Sequence, residues 1–128
     1  MKYVQTLKTP TEIRINASEP VNQNFEELVI YSIDQAFSIL GERSKQSIYF
    51  LLESEFKLCR TNIPDRIGDF ANAIEEIFGI SALLIEIQVM KTLRQRVPLF
   101  TYIIENAELN FDEYLSSLRS FMNTHLAF

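Results

Sequence analysis

From residue 24 onward, apolar side chains recur every three or four positions rather than at every second one, which is the signature of helices with one buried face. Phe25, Leu28, Val29, Ile33, Ala36, Phe37 and Leu40 fall on one side of a first helix. Asn24 and Glu27 stand at its start in capping-box spacing, which satisfies the free amides of a first turn, and Gly41 suits a left-handed stop. A second helix is predicted over about residues 43–56, with Ile48, Tyr49, Leu52 and Phe56 aligned and Leu51 nearby. The connector KLCRTNIPD follows, and its Pro64 fits either a loop or the first turn of the next helix. Ile67, Phe70, Ala71, Ile74, Ile77 and Phe78 then form a regular stripe, with Asp69, Asn72, Glu75 and Glu76 outward and Gly79 at the stop.

The fourth predicted helix, residues 80–94, breaks the simple pattern. Its apolar arc exceeds half a turn, taking in Ile80, Ala82, Leu83, Leu84, Ile85, Ile87, Val89, Met90 and Leu93, while Ser81, Gln88, Thr92 and Gln95 mark the wettable side. Such a helix either runs through the centre of the monomer or turns one side to a partner. Leu83, Ile87 and Met90 are the candidate partner surface, and a homodimer contact can be built on them.

Residues 97–109, VPLFTYIIENAEL, suit both a strand and a helical stripe and are read as irregular or short helical structure. The last helix opens with Asn110 and Glu113, again in capping-box spacing, and carries Phe111, Tyr114, Leu115, Leu118, Phe121 and Met122 as its seam. Residues 1–22 alternate partially around Thr9-Pro10-Thr11, as a short β-hairpin or an extended arm would. The expected architecture is all-α: a compact bundle of about five helices in a single domain, residues 23–128, preceded by an N-terminal arm, residues 1–22.

Composition agrees with this picture. A 128-residue chain that is 47% hydrophobic has apolar mass for one core, and ten Phe with five Tyr make that core rich in aromatic rings. Three glycines are too few for many tight turns or for phosphate-cradling loops. The single cysteine, Cys59, precludes an internal disulfide and suits a reducing cytoplasm; it reads as an inert, partly buried thiol. No signal peptide or membrane-length apolar run is present, so a cytoplasmic, soluble protein is expected. The net charge of −5 disfavours indiscriminate binding to nucleic acid or anionic lipid. Lys91, Arg94 and Arg96 cluster where the fourth helix ends and complement its carbonyl end.

The usual catalytic constellations are missing from the sequence. One histidine, His125, cannot make a paired-histidine metal site and reads as a solvated or interfacial terminal residue. Glu42, Glu53, Glu55 and Glu86 lie in or beside apolar segments, but no Glu-x-x-His motif accompanies them. The expectation is a non-enzymatic chain with no cofactor, no metal and no membrane partner.

Glu86 is the outstanding oddity, an acid inside the apolar arc of the fourth helix. A carboxylate on a buried face must be protonated or met by a cation or several donors, because an unpaired buried charge costs several kcal/mol. Arg43, Lys45, Arg60 and Tyr49 are the candidate partners, and the expected result is a structural bond from the fourth helix to the second or its flanking loops. An alternative is an unrecognised enzyme using a desolvated Glu86 as general acid or base. Another is a helix-turn-helix-like DNA-binding regulator built on EEIFGISALLIEI, with Gly79 in the turn; nucleic acid is an unlikely partner, because the would-be recognition helix is apolar.

The ordered series ILGE (39–42), IYFLLE (48–53), IP (63–64), Phe70, IFG (77–79), IE (85–86), Leu93 and FDEYL (111–115) resembles a small archaeal all-helical family of unknown function, the Nitrosopumilus-type output domain of archaeal signalling proteins. The resemblance covers residues 24–118. Within it, Gly41, Glu42, Tyr49, Glu53, Pro64, Phe70, Gly79 and Glu86 form a structural signature to which no catalytic role is attached. It implies an interaction or output module in archaeal signalling or regulation, acting through protein contacts.

Overall fold

Asn24 opens the first described helix as its spacing requires. Its side-chain oxygen accepts from the Glu27 amide at 2.8 Å, while its own amide donates to the Glu27 carboxylate at 3.2 Å. The computed structural model describes residues 24–100 and 111–125, with the side chain of residue 125 left aside. Five α-helices follow in order: α1 Phe25–Ser38, α2 Glu42–Phe56, α3 Ile67–Phe78, α4 Ala82–Arg96 and α5 Phe111–His125. Two 3₁₀ turns join them, Arg60–Asp65 before α3 and Gly79–Ser81 before α4. No strand occurs among the described residues, and one core cluster draws on all five helices. The all-α class and the five-helix bundle are as expected. The N-terminal arm, residues 101–109 and the Asn110 cap lie outside the described residues.

The links between helices are where local chemistry matters most. Gly41 ends the α1–α2 connection at φ +104°, a conformation that L side chains rarely adopt. At the end of α2, Lys57 takes the left-handed conformation itself, and the Leu58 amide turns back to the Leu52 carbonyl at 3.0 Å. Arg66 locks that stop by donating to the Lys57 carbonyl at 2.7 Å and to Asp69 at 2.9 Å. Pro64 is buried, and belongs to the 3₁₀ turn rather than to a loop or to the first turn of α3.

Burial organises the bundle around α1 and α4, whose mutual contact is the most extensive between any two helices. α1 also packs on α2 and on the first 3₁₀ turn, and α3 packs between α4 and α5. A chain of rings crosses this core: Phe37 against Tyr49 edge-on at 5.2 Å, then Phe37 to Phe70 and Phe70 to Phe111, each at 6.3 Å. Phe70 is fully buried at the middle of the chain.

The sequence-based reading of α4 needs two corrections. Thr92, expected on the wettable side, is 8% exposed. Its hydroxyl donates to the Gln88 carbonyl of its own helix at 3.1 Å, so only its methyl need face the core. Met90, expected on the partner surface, is also 8% exposed and is a core residue, since it stands beside the line of Ala82, Ile85, Val89 and Leu93 that α4 buries.

Candidate functional site: the outer face of α4

The 3₁₀ turn at Gly79–Ser81 starts α4 two residues later than expected. Gly79 makes this corner possible, at φ +64° and ψ −139°, a region essentially reserved for glycine. With the corner set, α4 buries one side of its wide arc and leaves the other in solvent. Ile80 is 92% exposed, Leu84 68%, Ile87 44% and Leu83 43%. Aliphatic side chains this open in a cluster mark a contact surface more often than a random scatter does. Of the predicted partner surface, Leu83 and Ile87 therefore stand on this strip, joined by Ile80 and Leu84, and Met90 does not.

Glu86 stands half-buried on the flank of this strip. The expected cation is absent: Glu86 forms no hydrogen bond or ion pair among the described residues. Its pKa is raised, first by burial and then by the negative charge of Glu75 on α3. The acid is thus neighboured by another acid. Water reaching the half-exposed carboxylate supplies the solvation that a partner was expected to give.

Two of the proposed partners of Glu86, Tyr49 and Arg60, instead converge on a residue that the sequence did not single out, with Lys45 adding its charge. Asp34, on α1, accepts from the Tyr49 hydroxyl of α2 at 2.5 Å and from Arg60 Nε at 3.1 Å, with a second, shorter bond from Arg60 Nη2. Burial pushes the Asp34 pKa up, but the Arg60 and Tyr49 hydrogen bonds and the positive charges of Arg60 and Lys45 outweigh it and bring the pKa below the usual carboxylate value. Burial and the Asp34 carboxylate hold the Tyr49 phenol well above its ordinary range. Arg119 makes a comparable tie at the other end of α1, meeting Glu26 at 2.7 Å and Asp65 at 2.8 Å over the Phe25 ring. Both are structural clasps that fix helices and leave the outer face of α4 untouched.

The remaining signature residues are placed by the fold rather than gathered into a site. Glu42 and Glu53 are exposed on α2, and Glu42 stands 3.9 Å from Lys45 one turn on. Gly41, Pro64, Phe70 and Gly79 shape turns and core as described. Cys59 is half-buried at the start of the first 3₁₀ turn, and Glu55 is exposed. Among the described residues no group of three His, Cys, Asp or Glu side chains is arranged to hold a metal ion. No helix there is long and apolar enough to cross a membrane.

Asp34 left one faint signal in the sequence, a carboxylate one turn before Ser38 and beside Ile33 on a strongly apolar helix. Comparison with protein-family models, with characterised proteins and with solved structures finds no match to this chain.

Proposed function

We propose that this chain is a non-enzymatic helical interaction module that works by protein contact through the outer strip of α4, as an output or regulatory element of the archaeal signalling type that its sequence resembles. The observation that carries the reading is the exposure of Leu83, Leu84 and Ile87 together on α4, with Ile80 in the turn before it, while the opposite side of the helix is used by the core. A lone free thiol suits work in a reducing cytoplasm. The strip weighs against a DNA-reading helix, because the residues that would enter the groove first are aliphatic and offer no donor to base edges or phosphates.

A photo-crosslinking residue placed at Leu84 in cells making the full chain tests this, with the same residue at Glu53 on the outer side of α2 as the control. A discrete adduct is expected from position 84 and none from position 53. Equal labelling at both positions, or none at either, would overturn the reading.

A further inference from the structure

The strip has a polarity that identifies what it fits. At 100° per residue, Leu84, Ile87, Lys91 and Arg94 fall along one line of α4, with Ile80 continuing it into the corner and Leu83 beside it. The line is therefore aliphatic in its first half and basic in its second. At the aliphatic end stands the last turn of α3 with the exposed acids Glu75 and Glu76, and Glu75 is close enough to act on Glu86 of α4. None of Glu75, Glu76, Lys91 and Arg94 forms an ion pair among the described residues.

A surface that is acidic at one end, aliphatic in the middle and basic at the other complements itself when turned end for end. We propose that the occupant of the strip is a second copy of this chain, docked with the two α4 helices antiparallel across a twofold axis near residues 84–87; this rests on the reading of the strip as a docking surface. In that arrangement Leu83, Leu84 and Ile87 of each copy meet those of the other. Lys91 and Arg94 of each copy reach the α3–α4 corner of its partner, where Glu75 and Glu76 stand. Twofold symmetry makes each contact twice. A parallel arrangement would set Lys91 and Arg94 against themselves and is disfavoured by like-charge repulsion.

Area is compatible with a reversible dimer. The four aliphatic residues expose roughly 450 Å² per copy, so two copies supply at most about 900 Å² before the charged rim is added, and the rim has to bring the total to the lower bound of a specific interface. Area does not set affinity, but an interface near this bound belongs to the weaker, reversible kind that dissociates on dilution.

Sedimentation equilibrium of the purified full chain over a range of concentrations reads this directly. The wild type is expected to pass from one to two chains over micromolar concentrations. Leu84→Glu is expected to stay monomeric with an unchanged helical circular dichroism spectrum, and Ile87→Glu provides a second variant should the first lose its fold. The pair Lys91→Glu/Arg94→Glu and the pair Glu75→Lys/Glu76→Lys should each weaken self-association about tenfold or more. An equimolar mixture of the two charge-reversed chains should restore it, because both ends of the mixed dimer are then complementary. A wild type that stays monomeric up to about 1 mM, or a dimer indifferent to Leu84→Glu, overturns the proposal. A dimer that the mixture does not restore overturns the antiparallel arrangement. Should position 84 crosslink in cells to a different protein while the pure chain stays monomeric, the docking reading stands and the second copy falls.

Discussion

Replacing Asp34 with Ala removes the point at which α1, α2 and the Arg60–Asp65 turn are tied together. The carboxylate receives one bond from Tyr49 and two from Arg60, and its side chain is only 19% exposed. Hydrogen bonds to a charged group contribute about 1.5–3 kcal/mol each when desolvated. They do not simply add here. Arg60 is 46% exposed and can turn its guanidinium to water, so its share is reduced towards that of a surface pair, about 1 kcal/mol or less. Tyr49 is more confined, packed edge-on against Phe37, and an orphaned phenol costs about 1–3 kcal/mol. A loss of about 3 kcal/mol is expected for Asp34→Ala at neutral pH. Urea unfolding followed by circular dichroism measures it.

The double variant Asp34→Ala/Tyr49→Phe should be about 1 kcal/mol less damaging than the sum of its parts, because removing the hydroxyl also removes the orphan. The pH dependence has a definite sign. The folded-state pKa of Asp34 lies below its ordinary 3.8, so its stabilisation is fully present above that value and is lost as the pH falls through the folded pKa. The gap between wild type and Asp34→Ala should therefore narrow in strong acid. A loss below about 0.5 kcal/mol at neutral pH, or a gap that does not narrow with acid, would refute the clasp.

Other substitutions probe separate parts of the fold. Ser32 is fully buried on α1 and its hydroxyl has no hydrogen-bond partner among the described residues, so Ser32→Ala should leave stability unchanged or raise it by up to about 1 kcal/mol in thermal unfolding. A clear destabilisation would show that the hydroxyl is satisfied after all. Gly79→Ala forces an L side chain into φ +64°, ψ −139° with open space around it, so the cost is backbone strain alone, about 1–3 kcal/mol by chemical denaturation. Glu86→Gln removes a carboxylate that burial and Glu75 hold above its ordinary 4.5, so it should stabilise slightly, by less than about 1 kcal/mol, at neutral pH. The sign follows because a raised folded-state pKa makes ionisation unfavourable to folding. That advantage should disappear as the pH drops below 4.5 and both proteins carry an uncharged group there.

Most of this fold was legible because helices announce themselves over short distances. The Asn24–Glu27 box, the α3 stripe and the Gly79 stop are each decided within a turn or two, and each stands as read. Thr92 was misplaced because a wheel counts it as polar, whereas a threonine can satisfy its hydroxyl on its own helix and then be buried. Glu86 was misread for a different reason. Arg60 and Tyr49 are candidate partners of Glu86 by sequence, but they meet Asp34 instead; 26 residues separate it from Arg60, and periodicity carries no information over that distance. The Arg119–Glu26 contact, across 93 residues, was equally out of reach.

The distribution of charge links this misreading to function. The clasps at Asp34 and Arg119 use charge-assisted bonds to tie α1, α2, the first 3₁₀ turn and α5 together, and of their acids only Asp34 is largely withdrawn from water. Among the described residues the α3–α4 corner has no such clasp. Its acids face one another across Glu75 and Glu86, and the nearest basic residues of α4 lie farther along the same helix. Holding like charges together in this way destabilises the isolated bundle slightly, while sequence changes that would relieve it, such as Gln at 86, are chemically simple. With the acids at one end of an exposed aliphatic strip and the cations at the other, water solvates these charges in the single chain, and a complementary surface would pair them. In the proposed dimer a second strip of the same kind, reversed in direction, would supply those cations without any further residue being required.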